Sequence, residues 1–282
     1  MALMVVCGLL VVAGVLGVVF WGCAEVTLPD DDGPPVRLPA GLVARRYVWY
    51  LTLAVVSGVG SGILVAGTGG RLAMRLLAAT AREAAQGRVT EADEVVGRIS
   101  TGGTVGFIVF TALFFGMSSG VVYLLVRRWL PHGRLGGLTY GALLLVVAAT
   151  RIDPLRAGNP DFDIVGPGWL AVLVFGTLVI VHGMLVAAVA GRYSQVLPMP
   201  SRDRRSLAPH APLALLLPAA PVFVLIAVVG AVAVALSRLR LVVAFLHSSH
   251  FLVAGRVVLV AVGLAAIPSF ASAIVDIAGR QP

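Results

Sequence analysis

The chemistry open to this chain rests on a few ionisable side chains set between long apolar runs. Arg71 and Arg75 stand four apart, so on a helix they share one face. Residues 148–169 then gather Arg151, Asp153, Arg156, Asp161 and Asp163 together with Pro154, Pro160 and Pro167. A planar guanidinium grips a carboxylate or a phosphate through paired hydrogen bonds. These seven charged residues are therefore the candidate ligand- or partner-binding set. Internal pairing comes first: Arg71 or Arg75 to Asp153 or Asp161, pinning the segment over the helices. The alternative is an open site for a lipid headgroup or an anionic ligand.

Two further groups fall inside apolar runs, where an ionisable side chain is costly and marks a functional hypothesis. His182 sits mid-run, and its simplest reading is a neutral imidazole bonded to a neighbouring helix. Arg256 lies about a turn and a half into its run and is long enough to snorkel outward. No acid accompanies His182 at depth, which speaks against an ion pump.

Catalytic patterns are weak. Gly116-Met117-Ser118-Ser119-Gly120 fits G-x-S-x-G, but that motif works on a strand-to-helix turn and here lies within an apolar run. An intramembrane hydrolase would need Ser118 or Ser119 within hydrogen-bond reach of His182. Asp93-Glu94-Val95-Val96-Gly97-Arg98 resembles the E-E-x-x-x-R signature of the CAAX-protease-like membrane family. The histidine helices which that family requires are missing: Leu178 and Val186 stand four residues either side of His182. His247 and His250 share a helical face but lack a third ligand. The Asp161-to-Gly166 run lacks the ligand spacing of a calcium loop. Cys7 and Cys23 form neither a metal knuckle nor a redox pair. All 21 basic residues are arginine, which excludes lysine Schiff bases and a P-loop lysine. No catalytic residue, metal or cofactor is expected.

The elements that must position these groups are membrane spans. Of 282 residues, 59% are hydrophobic and only 12% charged, against about 25% charged in a soluble domain. The arginines behind the net charge of +8 are scattered through short loops. That pattern suits topology signals and anionic headgroups better than nucleic acid. A span takes about 20 apolar residues. Seven stretches qualify or come close: about 2–21, 47–66 extending to 79, 101–126, 135–149, 168–190, 212–236 and 251–274. An acidic, proline-rich linker occupies 24–46, and Gly67, Gly69 and Gly70 could break or kink the second span.

The expected fold is an all-α, polytopic transmembrane helix bundle of about seven spans, one integral membrane domain over 1–282. Two longer polar extracytoplasmic connections, 80–100 and 148–168, close one end. Arginines at 45–46, 127–128 and 192–205, with Arg280, place those segments in the cytoplasm of a bacterial-type plasma membrane. The amino terminus is then outside and the carboxy terminus inside. Glycine pairs four apart (Gly58/Gly62, Gly102/Gly106, Gly116/Gly120, Gly137/Gly141) allow close helix approach within the bundle, or in a homo-oligomer. The leading functional reading is a non-enzymatic membrane protein whose outer cap binds a membrane or extracytoplasmic protein partner, a lipid headgroup or an anionic ligand. A small-molecule or lipid transporter follows, then the Ser/His hydrolase.

Overall fold

The computed structural model describes residues 1–29, 40–201, 203–216, 228–232, 235–236, 239, 244–246 and 248–280. Most of the acidic linker, Arg202, Arg238, Arg240, His247 and much of the 212–236 stretch lie outside them. The described residues are helical or irregular, with no strand beyond one isolated bridge between Val89 and Val95. Five helices are long and apolar enough to cross a membrane: α1 (Ala2–Trp21), α2 (Ala40–Thr80), α3 (Thr101–Trp129), α5 (Gly168–Ser194) and α6 (Ser249–Gly279). The shorter apolar helix α4 (Gly133–Ala149) lies between α3 and α5.

At 1.5 Å per residue the 41-residue α2 is about 60 Å long, twice the thickness of a hydrocarbon core of about 30 Å. Only about half of it could lie within such a layer, and its last turns carry Arg71 and Arg75. Gly67, Gly69 and Gly70 do not break it. Their missing side chains leave room for Ile108, Leu178 and Phe107, so they serve packing against α3 and α5. The irregularity in α2 is instead a π-helical turn at Gly62–Gly67, which packs against a second one at Thr111–Gly116 in α3. A third closes α4 at Leu144–Ala149.

Small residues set the helix crossings. Gly58 and Gly62 of α2 meet Gly116 and Ala112 of α3, and Gly120 meets Ala54. A methyl on Gly62 would come within 2.7 Å of the Ala112 Cα. Gly137 and Gly141 of α4 abut Met184, Ile180 and Gly183 of α5 in the same way. Where apolar burial no longer drives association, such contact between backbones holds helices together. A Cβ at Gly102 or Gly106 would meet nothing within 4 Å, so neither lies at a close helix crossing within the chain.

The path of the chain corrects one expectation, the side on which Arg280 lies. Gly191 at the end of α5 lies against Ala24, and Leu197 accepts a hydrogen bond from Trp49. α6 begins at the same end, with Phe251 edge-on to Trp129, and finishes at the other, where Gly168 and Asp163 meet residues 277–280. The connection from α5 to α6 thus starts and ends on one side; residues 217–227 of the expected 212–236 span lie outside the described residues. Arg280 consequently lies with the 148–168 segment, not with Arg45 and Arg192. Trp49 is fully buried in the bundle.

Candidate functional site

The polar cap is built from two connections and the end of α6. Residues 150–167 fold back over the helix ends and bury Leu155 and Phe162 among Ala73, Leu77, Ala149 and Ile277. Ile164 joins Ala78, Ala85 and Val96, tying this segment to the 81–100 connection. Burying a Leu or Phe side chain is worth about 1.5–3 kcal/mol, so the cap is seated by apolar contacts before any charge is counted. Local bonds shape it: Asn159 Oδ1 accepts from the Asp161 amide at 2.8 Å, and Thr80 donates to the Gly166 carbonyl at 2.7 Å. The 81–100 connection holds a short 3-10 turn at Glu83–Ala85 and a tight turn in which Thr90 and Glu94 bond each other.

Ionic contacts then link the pieces. Arg156 Nη2 lies 2.7 and 2.5 Å from the two Glu91 carboxylate oxygens. The Glu91 amide donates to Asp161 Oδ1 at 2.8 Å. Arg280 donates to Asp163 at 3.2 Å, to Asp276 at 2.8 Å and to the Ala157 carbonyl at 2.7 Å. Arg151 reaches the Val147 carbonyl at 2.8 Å and Ser269 Oγ at 3.0 Å.

The anticipated partners of Arg71 and Arg75 are wrong. Arg71 donates to Thr104 Oγ1 at 3.2 Å and lies over the Phe107 ring, while Arg75 donates to the Gly97 carbonyl at 3.1 Å. Both do face one side, as their spacing requires, but that side is turned to the start of α3 and the loop before it. Glu91, the acid that takes their expected place, belongs to the preceding loop and has no local pattern to announce it.

Electrostatics in the cap are set by crowding of carboxylates. Loss of water raises the Asp161 carboxyl above its ordinary value; the Glu91 amide opposes this, the Glu91 charge adds to it, and Arg156 opposes it. Asp153 is raised in the same direction, first by desolvation, with Arg156 opposing and Glu91 and Asp161 adding. Asp153 keeps an open surface, so its shift carries less weight than that of half-buried Asp161. The Glu91 hydrogen bond and charge raise the Arg156 guanidinium further.

The remaining candidates are dispersed. His182 is buried in α5; one side of its ring faces the Ser61 backbone and Nδ1 has no hydrogen-bond partner. Ser119 Oγ lies 3.1 Å from the Tyr140 hydroxyl, which itself donates to the Ser119 carbonyl at 2.5 Å. That pair ties α3 to α4, and it is not the Ser–His contact a hydrolase would use. Arg256 lies exposed on α6. Among the described residues no cluster of three or more metal-ligating side chains occurs.

The opposite end was underread. Trp49 Nε1 donates to the Leu197 carbonyl at 3.0 Å, and Thr52 Oγ1 lies 2.7 Å from His210 Nδ1. Arg127 bonds the Tyr50 hydroxyl at 3.1 Å and the Val26 carbonyl at 3.3 Å, with its guanidinium 5.5 Å from the Tyr50 ring centre. A cavity of about 150 Å³ opens beside it. Aromatic and basic residues flanking a span were the available signal, and they read equally well as interface anchors. Comparison with protein-family models, with curated proteins and with solved structures finds no match to this chain.

Proposed function

We propose that this chain is a non-enzymatic integral membrane protein whose cap recognises a membrane or extracytoplasmic protein partner. One observation carries the choice of a protein over an anion. Arg71, Arg75, Arg151, Arg156 and Arg280 already spend hydrogen bonds on the chain's own oxygens. Ile152 and Val89, by contrast, are 56% and 55% exposed among charged neighbours. Apolar residues ringed by polar ones are what a protein interface uses. The cap is proposed to face outward. In support, Arg128, Arg204 and Arg205 at the other end make no ion pair among the described residues, so they are free to meet an anionic cytoplasmic leaflet. With α6 ending at the cap, both chain termini then lie outside.

A photo-crosslinking amino acid at Ile152 or Val89, compared with one at Arg205, tests the reading. A discrete protein adduct from the cap positions alone is expected. Adducts absent from the cap, or equal from both ends, would contradict it. A transport reading stands second, favoured by the unpartnered Nδ1 of His182; it needs a polar cavity running inward from Arg71 toward His182, and the cavity described above opens at the other end.

A further inference from the structure

The cavity at the arginine-rich end lies where the tail after α1 crosses the turn between α3 and α4. Glu25, Tyr123, Arg127, Arg128 and His132 line it, and Ala187 forms part of its wall. Its volume of about 150 Å³ suits a group of roughly ten heavy atoms or fewer. Arg127 is held in place by Tyr50 and the Val26 carbonyl, which uses two of the five N–H donors a guanidinium carries. Arg128 lies 6.0 Å from the Phe251 ring centre and makes no hydrogen bond among the described residues. Glu25 shares the cavity with both arginines, yet pairs with neither within 4.0 Å. Opposite charges are thus held around one small space without closing on each other. A ligand carrying both signs fits that arrangement: an anion toward the guanidiniums and a hydrogen-bonding cation toward the carboxylate.

We infer that this cavity is a headgroup site for a phospholipid bearing a phosphate and a primary ammonium, a phosphoethanolamine headgroup. The phosphate meets Arg127 and Arg128, and the ammonium meets Glu25. Leu125, one turn before Arg128, is 68% exposed and offers apolar surface for an acyl chain. The cavity lies at the end away from the cap, so the inference is independent of the cap's partner.

Native mass spectrometry of the full chain, with lipids added in equal amounts, tests it. Phosphatidylethanolamine should be retained at least about fivefold over phosphatidylglycerol, which lacks the cation, and over phosphatidylcholine, which lacks ammonium hydrogens. Glu25→Gln should erase the preference over phosphatidylglycerol while retaining phosphate-bearing lipid. Arg128→Gln should weaken all three. Both side chains are exposed and make no ion pair among the described residues, so an unchanged melting temperature serves as the folding control. Equal retention of the three lipids by the native chain, or a preference that survives Glu25→Gln, would overturn the inference. Equal binding of soluble O-phosphoethanolamine would also overturn it, by assigning the site to a free phosphoamine.

Discussion

Arg156 and Glu91 are 65 residues apart in sequence, yet one guanidinium nitrogen spans both oxygens of the carboxylate. The pair joins the connection after α4 to the connection after α2. Both side chains are partly open to water, at 36% and 46%, so solvent screening limits what the contact contributes. Its role is to fix how the two connections are registered on each other. Arg156→Ala should raise amide hydrogen exchange over residues 89–96 about two- to fivefold, leaving the helices unaffected. The swap of Glu91→Arg with Arg156→Glu should recover most of that loss. Equal exchange in native and Arg156→Ala protein would show that the pair holds nothing.

The apolar feet of the cap should matter more than its charges. Phe162 is 3% exposed and packs against α2, α5 and α6 residues, so Phe162→Ala should destabilise the folded chain by about 3 kcal/mol. Ile152→Ala, at a side chain 56% exposed, should stay within about 0.5 kcal/mol. Reversible unfolding in detergent compares the two, and an equal cost would contradict the seating described.

Helix crossings can be probed glycine by glycine. A methyl at Gly62 would press within 2.7 Å of Ala112 Cα, and one at Gly137 within 3.1 Å of Met184 Cα. Gly62→Ala should cost about 1–3 kcal/mol, and Gly137→Ala, which needs a smaller shift, should cost less. Gly106→Ala meets nothing within 4 Å and should be neutral or stabilise by up to about 1 kcal/mol. Matched melting temperatures for Gly62→Ala and Gly106→Ala would refute the close α2–α3 approach.

Acid should tighten the cap through Asp161. Its folded carboxyl is raised above the ordinary aspartate value, chiefly by desolvation. A raised acid favours folding while protonated in both states, and that contribution is lost as pH rises through the folded value. From a pH below 3.8 upward, the Asp161 contribution should therefore decline, with Asp153 adding a smaller part in the same direction. Asp161→Asn keeps an oxygen for the Glu91 amide and removes the titration. Hydrogen exchange of the 89–96 amides, followed across that range, should flatten in Asp161→Asn relative to the native chain. An identical slope would rule Asp161 out as the source.

The spans were legible because hydropathy acts locally: α1 matches its expected bounds, and α3 to α6 differ only by a few residues at their ends. Three of the four glycine pairs were legible as packing devices, although only the structure shows that α2 meets α3 and α4 meets α5. Pairing across the cap was not legible. Arg71 points toward Thr104 because of the rotation of α2 against α3, a tertiary quantity with no sequence period. Arg280 was misplaced for a different reason. Counting sides from arginines places the end of the chain by alternation alone, whereas the contact of Arg280 with Asp163 is tertiary and leaves no mark in the sequence. The π-helical turns at Gly62–Gly67 and Thr111–Gly116 left no pattern distinct from ordinary helix.

Cysteine labelling reaches the central claim most directly, that both polar connections and the end of α6 meet on one face. In a Cys7→Ala, Cys23→Ala background, single cysteines would replace Asp93, Gly158, Arg280 or Arg192. A membrane-impermeant maleimide applied to intact cells should label the first three alike and leave the position-192 cysteine untouched until the membrane is opened. Labelling at position 280 that follows position 192, while positions 93 and 158 behave otherwise, would contradict the shared cap and the path of the chain that builds it.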